Sequence, residues 1–263
     1  LDFDASRAPS APRDAATVIL LRARASDGAA EVFLLRRHRG ASFMAQAFVF
    51  PGGARDGAED LRFTAARELF EEAGVLLADR APEPPVLAAL RARQAAGEPL
   101  EALLASSGSS LDLSRLVPFA HWITPSAERK RFSARFFVAE LPPGQTPSFD
   151  HAETIEELWT TPGDALARSA ELNLPPPQLR TLLEIQAAAT RGPAAVLELA
   201  RARGPHVRPI VPRLAPGPTI ALLLPWDPGY RDALGEGEAL PPDHPLGGGP
   251  SRFVLEGNVW RLT

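Results

Sequence analysis

The run GARDGAEDLRFTAARELFEEAGV, from Gly53 to Val75, decides how the rest of the chain is read. It places three carboxylates, Glu68, Glu71 and Glu72, in a segment rich in the helix formers Ala, Leu, Glu and Arg. At about 100° per residue these acids share an arc of roughly 100° on one helix face. Ala65, Ala66, Leu69, Phe70 and Ala73 fill the neighbouring arc and give the helix a side to bury. Glu68 and Glu72 stand one turn apart, about 6 Å along the axis, where like charges repel by a few tenths of a kcal/mol. That face calls for positive charge. A hard divalent cation held through carboxylate oxygens supplies it, and Mg²⁺ suits one or two carboxylates plus a phosphate. Upstream, the strand-like Phe48-Val49-Phe50 leads into Pro51-Gly52-Gly53; downstream, Gly74 stands where a helix ends in a left-handed residue.

With open positions written as x, the run is Gly53-x5-Glu59-x7-Arg67-Glu68-Leu69-x-Glu71-Glu72-x-Gly74-Val75. It resembles the signature of the Nudix hydrolases at each fixed position and at both apolar ones. The resemblance implies an α/β fold, the Nudix α/β/α sandwich with a mixed β-sheet, extending loosely from about Ala15 to Arg168. It implies hydrolysis of a nucleoside diphosphate linked to another moiety, with Mg²⁺, or Mn²⁺ in its place, as cofactor. By the same resemblance Glu68 and Glu72 come first as metal ligands, Glu71 next, and the backbone carbonyl of Gly52 is a further candidate. Arg67 is expected to pair with Glu59 and hold the loop on the helix, with Gly53, Glu59 and Gly74 structural within the motif. The general base is either Glu71 or an acid outside the motif. Glu153, Glu156 and Glu157 are the candidates there, with Glu153 preferred.

Several further segments are similar to the Nudix branch that includes the mammalian peroxisomal coenzyme A diphosphatases. They are Phe43-Met44, Phe48 to Gly53, Trp122-Ile123-Thr124-Pro125, Lys130-Arg131-Phe132 and Arg135-Phe136-Phe137, together with a long insertion after the motif. That branch implies CoA or acyl-CoA as substrate, cleaved to 3′,5′-ADP and (acyl)phosphopantetheine. The fuller CoA-associated pattern is not reproduced around Leu34 to Ala47. ADP-ribose, NADH and other dinucleotides form the alternative within the class. A nucleotide sensor without turnover is the alternative outside it, although such folds usually lose one of the acids that are all present here.

The 263 residues allow one large domain or a domain with additions, and 45% hydrophobic residues suffice for a core. A net charge of -4 and the lack of a basic stripe argue against nucleic acid as a partner. The absence of cysteine excludes disulfides, thiolate metal sites and a cysteine nucleophile. The apolar runs are too short to span a bilayer and the first residues form no secretory signal, so a cytoplasmic protein acting on a small-molecule nucleotide is expected.

In chain order, Leu1 to Asp14 reads as a loose arm. Thr17 to Leu21 and Glu31 to Leu35 read as strands joined by the turn Ser26-Asp27-Gly28. Arg36, Arg37 and Arg39 cluster at the second strand's end. They either hold phosphates bidentately or keep a solvated edge from pairing. A short strand is expected at Val75-Leu76-Leu77. Residues 79–114 form an insertion with two short helices, Val86 to Ala95 and Leu100 to Ala105, read as a lid or wall on the substrate side. Leu116 to Thr124 and Phe132 to Leu141 read as strands. Arg131 and Arg135 meet a phosphate if the Arg135 face lines the cleft, and otherwise sit as hairpin charge in solvent. Leu179 to Thr190 and Ala194 to Arg203 read as helices. The catalytic domain is thus assigned to residues 1–204. Residues 205–263 are read as an extension that packs on the core, with strands at Thr219 to Leu224 and Phe253 to Leu262, or that serves a homodimer.

Overall fold

A computed structural model describes residues 3–4, 8–40, 44–80, 82–150, 154–241 and 243–263. The organising strand is β1 (Arg13–Ala23), whose apolar run Ala15 to Leu21 is buried almost throughout. Such a run is what a strand buried on both faces requires. Ala16, Val18 and Leu20 point into one core and Ile19 and Leu21 into another. The turn after β1 returns the chain as β2 (Ala30–Arg37), and the short β3 (Phe48–Val49) and β4 (Gly52–Ala54) follow.

Next comes α1 (Leu61–Ala73), capped by Asp60, whose carboxylate accepts from Arg62 N at 2.8 Å, and stopped by Gly74 at φ 66. Gly74 N–H closes the last turn on Phe70 O at 2.8 Å. The Gly74 position also leaves room for the Arg91 guanidinium, with which a Cβ would collide. The insertion supplies α2 (Pro84–Ala95) and α3 (Leu100–Ser107), and the chain re-enters the sheet as β5 (Val117–Ile123), β6 (Phe132–Glu140) and β7 (Thr154–Thr160). Three helices follow, α4 (Pro162–Ala167), α5 (Pro176–Ala189) and α6 (Pro193–Arg203).

The main sheet runs β3-β2-β1-β6-β5-β8, where β8 is Pro209–Ile210; β4 pairs with β1 and β7 with β2. It is mixed, since β1 with β6 and β5 with β8 are parallel and the other pairs antiparallel. One face is covered by α1 through Ala65, Ala66, Leu69 and Ala73. The other is covered by α5 and α6 through residues such as Leu182, Ile185 and Val196. This is the α/β/α sandwich. A second, antiparallel sheet, β12-β11-β10-β9, is built from β9 (Arg213–Leu214), β10 (Ala221–Leu223), β11 (Arg252–Glu256) and β12 (Val259–Leu262).

Several expectations change. Val75-Leu76-Leu77 is not a strand; its side chains are buried without sheet pairing, and the single bridge there joins Ala78 to Leu111. The insertion does not wall the cleft described below, since none of its described residues lines it. Leu87, Leu90, Leu100, Leu103 and Leu104 instead cover Phe70, Leu76 and Ala78, behind α1. The N-terminal arm is anchored where described: Phe3 bridges Glu128 and meets the Trp260 ring edge-on at 6.2 Å, and Asp4 N–H donates to Ala127 O at 2.8 Å. Phe253 to Leu262 is a hairpin of two strands, not one. Residues 205–263 begin inside the main sheet, through β8 beside β5, before forming the second sheet.

Candidate active site

A cleft of about 550 Å³ opens where α1, the β3–β4 turn and the front of β1 meet. Glu68, Glu71 and Glu72 line it together with Gly52, Gly53, Asp56 and Arg67. Glycine at 52 is a steric requirement, and glycine at 53 leaves the Glu68 side chain its present place. A Cβ on Gly52 would strike the Ala16 carbonyl, and one on Gly53 would strike the Glu68 carboxylate. Glu72, only 5% exposed, accepts the Gly52 N–H at 2.8 Å, which locks the turn onto the helix.

Arg67 is the hub. Its Nε donates to Glu59 Oε1 at 3.1 Å, Nη1 to Glu68 Oε1 at 2.9 Å and to Glu71 Oε2 at 2.8 Å, and Nη2 to the Ala54 carbonyl at 3.1 Å. Thr64 Oγ1 adds a 3.0 Å hydrogen bond to Glu59. The loop before α1 and the acidic face are thus tied through one guanidinium. These acids hold its pKa well above the ordinary arginine value against the opposing effect of burial. Arg67 does not neutralise the whole cluster. Burial raises the Glu71 pKa, and the nearby Arg67 charge only partly opposes it.

This excess of buried carboxylate is the test of whether a cation fits. The donors are hard oxygens, suited to Mg²⁺ or Mn²⁺. Glu68, Glu71 and Glu72 would hold the ion with the Gly52 carbonyl. Among the described residues no three acids are already gathered as a metal cage; Nη1 of Arg67 lies against both Glu68 and Glu71. Arg67 keeps Glu59 and the Ala54 carbonyl as separate anchors, so the acids fit a cation in charge and donor type.

The arginines separate. Arg37, half-buried at the end of β2, lines the cleft, and its Nε is buried with no partner. Its neighbour Arg36 turns away, to Glu156 at 3.1 Å and Gln46 at 3.3 Å, where β2 bulges against β7. Arg39 is exposed and outside the cleft lining. Arg131 is buried beneath the β5–β6 turn, donating to Thr124 O at 3.1 Å, Ser10 O at 2.7 Å and Glu236 at 2.9 Å. It clamps three segments together and does not reach the cleft. Arg135 is also excluded, because Ala134 and Phe136 line the cleft and Arg135 alternates to the opposite face of β6. Arg13, at the start of β1, lines the cleft although sequence offered no reason to select it. Glu156 pairs with Arg36, and Glu157 accepts Phe149 N–H at 2.8 Å, so neither enters the site. Glu153 lies outside the described residues, as does Phe43.

The far wall is unexpected. Pro176, Pro177 and Gln178 come from the start of α5, and Pro212, Leu222 and Trp260 from the C-terminal segment. Trp122, Phe50 and Phe136 add apolar surface from the main sheet.

The fold is thus an α/β/α sandwich with a mixed sheet whose cleft carries an acidic helix face. Residues 11–182 match the NUDIX domain, and the chain belongs to the Nudix hydrolase family. A Caenorhabditis elegans protein named "Putative nudix hydrolase 7" is 27% identical over 184 residues, 66% of this chain and 60% of that protein. The chain therefore spans about 60% of the length of that curated relative. A solved NUDIX hydrolase from Alicyclobacillus acidocaldarius is 31% identical with a TM-score of 0.60, covering 68% of this chain and 93% of that one. The strands β8 to β12 lie beyond the matched residues. Among the described residues no helix is long and apolar enough to cross a membrane.

Proposed function

We propose that the protein hydrolyses the diphosphate linkage of a nucleoside diphosphate derivative, with CoA or acyl-CoA as the lead substrate. The observation that supports this reading is one cleft that joins the acids Glu68, Glu71 and Glu72 to Arg37, whose Nε is buried with no partner, and to a long apolar remainder. A diphosphate needs its charge matched at one end, and a substrate with a large uncharged arm needs apolar surface at the other.

Glu68, Glu72 and Glu71, with the Gly52 carbonyl, would hold Mg²⁺ or Mn²⁺. When bound, the ion neutralises phosphate oxygens and lowers the pKa of an attacking water. Arg37 takes a phosphate oxygen, and Arg13 adds positive charge at the rim. Glu71, whose pKa burial raises, accepts the water's proton. Water adds to one phosphorus, the bridging P–O bond breaks, and the second phosphate leaves with the bridging oxygen. Arg67 keeps the loop and the acids in place through Glu59 and Ala54. With Glu156 and Glu157 engaged elsewhere, Glu153 is left of the three acids first considered outside the motif, and Glu128 also lines the cleft. The substrate wall, first placed in the insertion, passes in this reading to α5 and the C-terminal segment.

The test is a mass-spectrometric product assay with Mg²⁺ or Mn²⁺ against CoA, acyl-CoAs, ADP-ribose, NADH and diadenosine polyphosphates. Release of 3′,5′-ADP from CoA species is the expected result. AMP from ADP-ribose or NADH with CoA untouched would replace the substrate and keep the reaction. Nucleotide binding without turnover on the whole panel would make the protein a sensor.

A further inference from the structure

We infer that Gln178 is a specificity-determining residue, which reads a neutral hydrogen-bonding group on the uncharged part of the substrate. The inference rests on the proposed use of this cleft. Gln178 is the third residue of α5 and lines the cleft, yet it is only 7% exposed, and its Oε1 is buried with no hydrogen-bond partner. A buried amide oxygen without a partner is costly, and the great majority of such atoms in folded proteins are paired. Removing the amide would be the simple remedy if Gln178 only filled space.

The surroundings define what this amide can meet. The two residues before it, Pro176 and Pro177, have no N–H, so the first two positions of this helix offer no backbone donors to an anion. The cleft residues contributed by α5 and the C-terminal segment carry no charge, whereas the lining arginines, Arg13, Arg37 and Arg67, come from β1, β2 and α1. Phosphate therefore belongs at the acidic end, and a neutral group at the Gln178 end. The start of α5 is held in place from behind: Arg180 donates to Glu184 at 2.6 Å and to the Pro250 carbonyl at 2.9 Å, and α5 packs against β12. Trp260 of β12 and Leu222 of β10 supply the apolar surface against which a flat or extended group can lie. A side-chain amide pairs best with an edge that presents an N–H beside an acceptor. The adenine base has such an edge, whereas each secondary amide of the pantetheine arm points its N–H and its C=O opposite ways and offers the glutamine one or the other.

Calorimetric binding of ADP, IDP and phosphopantetheine to the full chain separates the two sources, comparing wild type with Gln178→Met, which keeps length and loses hydrogen bonding. If adenine is read, Gln178→Met weakens ADP about 10- to 100-fold, abolishes its preference over IDP and leaves phosphopantetheine unchanged. If the amide is read, phosphopantetheine weakens by that factor and ADP does not. In either case Tm stays level or rises, because a buried unpaired oxygen has been removed. Unchanged affinities in the folded variant, or no binding of all three to wild type, would overturn the inference. Gln178→Leu repeats the test with a different shape; unfolding of both variants would assign Gln178 to the core and overturn it as well. Absence of diphosphate hydrolysis with Gln178-dependent binding intact would reject the hydrolase reading and leave the inference standing.

Discussion

At the scale of single residues the site depends on two glycines and one arginine as much as on its acids. Gly53 gives the Glu68 carboxylate its place, and Gly52 offers the N–H that orients Glu72. Arg67 spends its donors on Glu59, Glu68, Glu71 and the Ala54 carbonyl. Glu72→Gln keeps an acceptor for the Gly52 N–H but removes a negative charge. We expect kcat to fall about 100-fold or more, with Tm close to wild type; steady-state kinetics beside a thermal melt checks both. Wild-type turnover in the folded variant would remove Glu72 from the metal set. The spacing of these residues in sequence was enough to place them on one helix face, because an α-helix repeats locally. Which arginine faces the cleft was not legible. The answer depends on a bulge between Arg36 and Arg37 in the β2–β7 pairing and on strand parity at Arg135, and both are set by partners distant in sequence.

At the scale of elements the insertion and the C-terminal segment exchange the roles expected of them. The two insertion helices bury Leu87, Leu90, Leu100, Leu103 and Leu104 against Phe70, on the flank of α1 away from the acids. Arg91 ties them down by donating to Ser148 Oγ at 2.6 Å and to its carbonyl at 3.0 Å. The insertion thus braces α1. Leu90→Ala is expected to cost about 2–5 kcal/mol, measured by denaturant unfolding, and to leave KM unaltered. A raised KM with stability intact would return the insertion to the substrate side. Both helices were readable from their apolar spacing, but the surface they cover was not, since Leu87 and Leu90 fit any apolar partner of the right shape.

At the scale of the whole molecule, the chain closes on itself around β5 and β6. Phe3 from the N-terminal arm meets Trp260 from β12, and Arg131 joins the β5–β6 turn to Ser10 and Glu236. Within this closure lies His121 of β5, 5% exposed, with Nε2 2.9 Å from Ser133 Oγ and Nδ1 without a partner. Burial, assisted by the Arg135 charge, lowers its pKa to about 4 from an ordinary 6.5. The folded state therefore binds its proton less readily than the unfolded chain. The stability associated with neutral His121 is complete above about pH 6.5 and is lost as the pH falls toward 4, by on the order of 3 kcal/mol at the limit. Thermal melts from pH 7 to pH 4 should show a steeper loss for wild type than for His121→Gln; parallel curves would mean that His121 does not titrate in this window.

The sequence by itself determined the acidic helix face and its stop at Gly74, through local periodicity, and the sandwich class and the Nudix family, through the resemblance of one short run to that family's signature. Only the tertiary structure decided which segments wall the cleft, which arginine enters it, and that Gln178 is buried there with an oxygen to satisfy. Those outcomes depend on strand register, on parity and on the return of the C-terminal strands to the sheet, and each is set by contacts between residues far apart in the chain.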